Sequence, residues 1–196
     1  MVTTREQDPR VRRTQAALRA ILIELVQHRE LSRISVADVA ERAGVSRSTF
    51  YDHYRDVHEL AEAACTAMID ELIEAIPDHA SATADPPGDP YDSLLTFFAH
   101  LAEHAGLYRS VLGPQGSARV IDHVRHRATV AVHLRAHPPG DAETPHDVAA
   151  AFTAGALLGV ASDWLKRGCP RSPAEMAGLT RPLLELLYQG NDRATT

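Results

Sequence analysis

Apolar residues recur along this chain at intervals of three and four, the spacing that places them on one face of an α-helix. Leu18, Leu22 and Leu25 form one such stripe, and further stripes with the same spacing extend to Leu186. No segment alternates apolar and polar residues as a half-buried β-strand does. The chain is therefore expected to be all-α.

The composition is typical of a globular protein with its own core. The chain has 196 residues, of which 44% are hydrophobic and 23% charged. Its two cysteines, Cys65 and Cys169, are too few for a disulfide framework. The longest uncharged stretch, residues 148–162, is shorter than the roughly 20 residues that a membrane helix needs. With no apolar signal segment at the N-terminus, these features predict a cytoplasmic protein without a membrane partner.

Residues 34–60 contain the most informative segment, two short helices joined by a tight turn. Ser35 is suited to cap the first helix, with Asp38 as its third residue, and Gly44 tolerates the left-handed backbone of the turn. Ser46 then caps the second helix. This arrangement is typical of a helix-turn-helix, whose second helix can enter the major groove of DNA.

The second helix is expected to separate apolar from polar side chains. Phe50 and Tyr54 should face the core, while hydroxyl and guanidinium groups face away and can reach phosphates and base edges. The first 58 residues carry ten arginines against eight acids, a formal charge of +2, whereas the remainder carries −8. This charge split is compatible with a nucleic-acid partner. An ordinary capped helix pair with a solvated polar face is the alternative.

The segment from about Thr14 to Leu60 resembles the DNA-binding domain of the TetR family of transcriptional regulators. The resemblance rests on Ser35, Val36, Val39, Ala40, Ala43, Gly44, Val45, Ser46, Thr49, Phe50, Tyr51, His53 and Tyr54. It implies an all-α homodimer with a three-helix helix-turn-helix head in residues 1–56. A long helix would join this head to a helical body in residues 57–196, which binds a small effector and the partner subunit.

The resemblance also implies which residues contact DNA. Tyr51 and His53 occupy the positions that contact phosphate in the family. The full set of candidate DNA-binding residues is Ser35, Ser46, Arg47, Ser48, Thr49, Tyr51, His53 and Arg55.

Two positions depart from the family pattern. Val57 stands where the family commonly has a phosphate-contacting Lys, and Tyr54 stands where it has Phe. Arg55 is the candidate for supplying the missing positive charge. The sequence His53-Tyr54 resembles the His-Tyr variant of this motif in one subgroup of the family, the regulators of dihydroxyacetone kinase.

Asp56 and Glu59 predict a capping box at the start of a fourth helix of about 30 Å that runs to Pro77.

The body of the chain offers candidate sites of two kinds. An effector pocket is expected among Met68, Phe97, Phe98, His104, Tyr108, His123 and Trp164. A dimer interface is expected on the last two long helices, among Gly155, Gly159, Met176, Leu179, Leu183 and Leu186. Pro182 should kink or split the second of these helices.

Eleven histidines raise the question of a metal site. His100, Glu103 and His104 match an inverted zinc-peptidase pattern, and His123 or His126 could add a ligand. Histidines that merely lie on a helix edge or line a pocket give the same pattern, so the sequence predicts no metal site and no cofactor. Metal sensing and hydrolysis are the alternatives.

Together these features predict a DNA-binding transcriptional regulator that is not an enzyme. It is expected to act as a homodimeric repressor on a near-palindromic operator in double-stranded DNA and to release it when an unknown small-molecule effector binds. An activator or an effector-independent DNA-binding protein is the first alternative. A zinc-dependent hydrolase is a remote one.

Overall fold

The computed structural model describes residues 8–75, 90–113, 116–136 and 148–194. Within these ranges the chain forms nine α-helices, one short 3-10 helix (Leu31–Arg33) and no strand, which confirms the all-α prediction. The helices are α1 (Pro9–His28), α2 (Val36–Arg42), α3 (Arg47–Tyr51), α4 (Val57–Ala75), α5 (Pro90–Glu103), α6 (Ala105–Leu112), α7 (Ala118–Ala136), α8 (Val148–Lys166) and α9 (Pro173–Ala194).

Helices α1 to α3 form the head around a small apolar centre. Leu18 and Leu22 of α1, Val39 of α2 and Phe50 of α3 are completely buried. Gly44 has a φ of +67° in the turn between α2 and α3, a conformation that glycine adopts without the strain of a side chain. The helix-turn-helix that the sequence predicted is therefore present.

Helix α4 belongs to both the head and the body. Its 19 residues span about 28 Å, close to the expected length. It packs against α1 in the head and against α6 and α7 in the body. Residues from before and after position 56 contribute to one continuous core, and the proposed boundary between residues 56 and 57 stays a prediction.

The start of α4 differs from the predicted capping box. Asp56 Oδ1 accepts the Glu59 N–H at 2.8 Å, as expected of a cap. The Glu59 carboxylate, however, accepts the N–H of Arg55 at 2.7 Å, one residue before the cap. The ion pair with the Arg55 guanidinium draws the carboxylate to that residue.

Helix α9 is continuous through Pro182, so of the two expected outcomes the helix is not split, and a kink stays a prediction. Proline removes one backbone hydrogen bond. The helix is held on both sides of it, because Ala177 and Thr180 are buried and Leu184 packs on the core. At its start, Ser172 and Glu175 exchange hydrogen bonds in a capping box. The sequence predicts this cap because proline follows it and an acid stands three residues after it. The same pattern predicts caps at Asp89 and Thr144, which lie outside the described residues.

Helix α8 is longer than its uncharged stretch suggested. Its 19 residues, with a mean hydropathy of 1.5, meet the length and composition of a membrane span, and a third of the apolar window is buried. A single helix of this kind is weak evidence for a membrane span, because core helices can have the same composition. Helix α8 packs against α5, α6, α7 and α9.

Helix α6 reaches the head at Gly106. A Cβ atom at this position would lie 2.5 Å from the backbone carbonyl oxygen of Val26, near the end of α1. Real Cβ contacts do not come so close, so the approach of α6 to α1 depends on the missing side chain. Gly106 thereby fixes the distance between the body and the head.

We expect Gly106→Ala to destabilise the protein by about 1 to 3 kcal/mol, because backbone atoms must move apart to admit the methyl group. Urea unfolding followed by circular dichroism measures the difference. Gly178→Ala is the matched control: nothing lies within 4 Å of its Cβ position in α9. It should leave stability unchanged or raise it by about 0.4 to 1 kcal/mol. Equal stability of Gly106→Ala and wild type would contradict the close contact.

Candidate nucleic-acid interface and internal cavity

The first helix of the motif, α2, begins with a reciprocal cap. Ser35 Oγ accepts the Asp38 N–H at 3.2 Å, and the Asp38 carboxylate accepts the Ser35 N–H at 2.9 Å. The Ser35 hydroxyl also donates to that carboxylate at 2.6 Å. These hydrogen bonds from Ser35 lower the pKa of Asp38. They hold Ser35 on the exposed side of the motif.

Three hydroxyl groups cluster at the start of α3. Ser46 Oγ accepts the Thr49 N–H at 3.0 Å, which confirms Ser46 as the cap. The same oxygen lies 2.7 Å from Ser48 Oγ and 2.8 Å from Thr49 Oγ1. Such groups, next to the positive end of a helix dipole, can bond phosphate oxygens or base edges.

The orientation of α3 agrees with the sequence prediction. Phe50 is buried, while Arg47, Ser48 and Asp52 are exposed. The Tyr51 side chain is 58% exposed, and its ring meets that of Phe50 edge to face at 5.7 Å. The Tyr51 ring packs on buried Phe50 on one side, and the exposed side chain leaves the hydroxyl able to bond another molecule.

Arg55, the candidate to replace the positive charge of the family's Lys, is paired with an acid. Val57 is buried in the core, so its side chain cannot reach a phosphate. Arg55 is exposed, but its Nε lies 3.2 Å from Glu59 Oε2. The pairing raises the pKa of Arg55 and leaves the two residues neutral together. Half-buried His53, next to the Tyr54 ring, completes this edge of the surface.

The body contains a cavity of about 480 Å³ between α4, α5, α7, α8 and α9. It is within the range of small-molecule sites. Its lining consists of Ile69, Leu72, Ile73, Ser93, Leu94, Phe97, Leu101, Leu112, Val124, Ala128, Ala131, Val132, Thr153, Ala154, Leu157, Leu158, Ala161, Arg181, Leu184 and Glu185.

The structure places the predicted effector-pocket residues differently from expectation. Phe97 lines the cavity. The aromatic and sulfur side chains of Met68, Phe98, Tyr108 and Trp164 are instead buried among other core residues. Large side chains fill the core, whereas the cavity exists where α7 and α8 carry alanines. The alanines at 128, 131, 154 and 161 were the signal in the sequence that could have located it.

The predicted histidines also lie apart from the cavity lining. His123 Nε2 is 3.1 Å from Asp70 Oδ1, and Arg127 Nε is 2.6 Å from the same oxygen, so this group ties α7 to α4. His104 lies at the cap position of α6.

The residues of the zinc-peptidase pattern do not lie on one continuous helix, because α5 ends at Glu103 and α6 begins at Ala105. The rings of His100 and His104 nevertheless lie 5.0 Å apart, edge to face. His100 Nε2 is 2.8 Å from the Tyr108 hydroxyl, and burial lowers the pKa of His100. The described residues contain no group of three or more His, Cys, Asp or Glu arranged for a metal ion.

Helices α8 and α9 leave an apolar face uncovered. Val148 and Phe152 of α8 are 77% and 59% exposed, and Leu179, Leu183 and Leu186 of α9 are 56% to 66% exposed. Gly155 and Gly159 lie on the same side of α8 with open space before them. Met176 was expected here, but it is buried, because its position in the first turn of α9 points into the core.

Two protein families match this chain over separate segments. Residues 22–64 match the family described as bacterial regulatory proteins, tetR family. Residues 88–185, half of the chain, match a TetR transcriptional regulator C-terminal region. The chain belongs to the TetR family of transcriptional regulators. It is accordingly a DNA-binding regulator and not an enzyme.

Individual relatives agree with this assignment. The TetR-family chain is 34% identical over 83 residues to the HTH-type transcriptional regulator AlkX of Mycobacterium tuberculosis, covering 40% of this chain and 38% of AlkX. It is 36% identical over 70 residues to the uncharacterized HTH-type transcriptional regulator YxbF of Bacillus subtilis, covering 33% of this chain. The matched segments span only 18% of YxbF and 38% of AlkX.

Two solved structures show the same fold. A TetR-family transcriptional regulator from Streptomyces coelicolor superposes with a TM-score of 0.67 at 20% identity, covering 90% of this chain and 83% of that one. The dihydroxyacetone kinase operon activator DhaS superposes with a TM-score of 0.64 at 19% identity, covering 88% and 94%. At this level of identity the likeness concerns the fold.

Proposed function

We propose that this TetR-family regulator is a cytoplasmic homodimeric repressor. It binds a near-palindromic operator through α3 and releases it when a small molecule occupies the cavity. The observation that carries the proposal is the placement of α4: Leu60 and Ala61 are buried near the head, while Ile69, Leu72 and Ile73 line the cavity. A ligand that moves these three residues acts on the helix that supports the DNA-binding surface.

The proposed DNA contacts follow from the exposed surface of the motif. Arg47 at the exposed start of α3 is suited to a base edge, since a guanidinium can bond guanine with two hydrogen bonds. Tyr51 and His53 are assigned to phosphates, together with the hydroxyls of Ser35, Ser46, Ser48 and Thr49. Arg55 contributes weakly, because Glu59 neutralises it.

The proposed dimer uses the uncovered face of α8 and α9. Phe152, Leu179, Leu183 and Leu186 form an apolar patch of the kind that monomers rarely expose, and Gly155 and Gly159 allow close approach of a second helix. A two-fold axis would pair α8 and α9 with their copies in a four-helix interface. The two heads would then lie on successive major-groove faces, about 34 to 36 Å apart.

Repression is the proposed direction of control, and activation is the second candidate because DhaS is described as an operon activator. A promoter carrying the operator upstream of a reporter gene distinguishes them. Transcription that falls when the protein is present supports repression. Transcription that rises supports activation.

The DNA-contact assignment predicts distinct effects of two substitutions, once bound genomic fragments have supplied the operator. Arg47→Ala should cost about 1 to 3 kcal/mol of operator binding and relax the preference at one base pair. Tyr51→Phe should weaken binding to all sequences alike, because a phosphate contact carries no sequence information. Fluorescence anisotropy with the operator and single-base variants measures both.

Arg167→Ala is the control for charge, since this exposed arginine pairs with Asp163 at the far end of α8. It should leave operator affinity unchanged. Operator affinity equal to wild type in a folded Arg47→Ala, Tyr51→Phe double variant would show that α3 does not contact DNA in this way.

The dimer assignment predicts that Leu183→Glu yields a monomer, because the new carboxylate would be buried against an apolar partner surface. Light scattering should give about twice the 21.4 kDa chain mass for wild type and the single mass for the variant. Tyr51→Glu replaces an equally exposed apolar ring on the head and should remain dimeric. Dimers of both Leu183→Glu and Gly159→Arg would refute this interface.

A further inference from the structure

The cavity has a nearly uniform chemical character. Sixteen of its twenty lining residues present only hydrocarbon. The polar ones are Ser93 of α5, Thr153 of α8, and Arg181 and Glu185 of α9. Such a surface favours a ligand that is mostly apolar, because the gain from leaving water grows with the apolar area buried.

The charges of the lining cancel within the described part of the chain. Arg181 Nε lies 2.6 Å from Glu185 Oε1, one turn further along α9. The cation and the anion therefore already compensate each other. Both side chains are about half exposed, so this pair lies at the solvent-facing edge of the cavity. A charged ligand group placed among the sixteen apolar lining residues would lose its hydration and gain no unmatched opposite charge in return.

The lining also sets the size of the ligand. It extends over nine residues on each of three helices, from Ser93 to Leu101 on α5, from Val124 to Val132 on α7 and from Thr153 to Ala161 on α8. With eight steps of 1.5 Å, each span is about 12 Å long. The volume of about 480 Å³ lies within the range of sites that hold small molecules.

We propose that the cavity binds an uncharged, largely apolar small molecule that carries one polar group. The hydroxyls of Ser93 and Thr153 are the hydrogen-bonding groups for that polar atom. Carboxylates, sulfonates and amines are discriminated against by the cost of burying their charge. This inference rests on the proposed function, since it names the chemical class of the effector of the same site.

Two fluorescent probes with the same ring system test the proposal on the full chain without DNA. N-phenyl-1-naphthylamine is neutral, and 8-anilinonaphthalene-1-sulfonate adds one negative charge. We expect the neutral probe to bind once per subunit and at least tenfold more tightly than the sulfonate. Equal or tighter binding of the sulfonate, or absence of binding by the neutral probe, would overturn the proposal.

Variants locate the probe and test the role of charge. Ala128→Phe fills the cavity and should weaken the neutral probe at least tenfold, whereas Val130→Phe, exposed on the same helix, should leave its affinity unchanged. Ser93→Arg adds a cation to the lining and should shift the preference at least tenfold toward the sulfonate. Unaltered binding in folded Ala128→Phe, or an unaltered preference in Ser93→Arg, would overturn the proposal.

Operator binding is measured separately, so the two proposals fail independently. If the probes behave as expected but a saturating neutral probe leaves operator affinity unchanged, the ligand class stands and release by this ligand fails. If the probes do not behave as expected while operator binding and its dependence on Arg47 persist, the ligand class is wrong and DNA binding stands.

Discussion

The arrangement of this molecule depends on the burial of one face of α1 against α4 and α6. Leu18 and Leu22 of α1 and Leu60 of α4 are completely removed from solvent, and Leu107 of α6 joins them in the same core. Two of the three head helices are short, with seven residues in α2 and five in α3, so the head by itself buries little apolar surface. The position of α3 is therefore set by α4 and also by α6, whose Gly106 lies close to the backbone of Val26 in α1.

This shared core gives the regulator a physical route from cavity to DNA. The carboxyl half of α4 lines the cavity, and Asp70 binds α7 through His123 and Arg127. A ligand can shift the proposed dimer only by its difference in affinity between the operator-binding and the released arrangement. Reversing a 99:1 preference would need about 10⁴-fold tighter binding to the released form. Because α8 lines the cavity on one side and carries Phe152 on another, ligand binding can also reach the proposed dimer face.

Sequence reasoning succeeded where the structure is determined locally. Ser35 and Ser46 cap helices because their hydroxyls reach backbone groups three residues away, and Phe50 turns inward because of helical periodicity. It located less where several helices meet. Of the residues expected in the effector pocket only Phe97 lines the cavity, because the other large side chains pack into the core and the cavity lies beside small residues of α7 and α8. Likewise, the pairing of Arg55 with Glu59 depends on side-chain geometry that the sequence pattern leaves open.

The most direct test of the coupling between cavity and head is a pair of titrations that share one thermodynamic cycle. Calorimetry would measure binding of N-phenyl-1-naphthylamine to the free protein and to the protein saturated with operator, and anisotropy would measure operator binding with and without the probe. Linkage requires that each ligand weaken the other by the same factor. We predict a factor of at least five in both directions, within the range of about 5 to 150 typical of allosteric coupling. Independent affinities, with a factor of one in both directions, would contradict a switch that passes from this cavity through α4 to the DNA-binding surface.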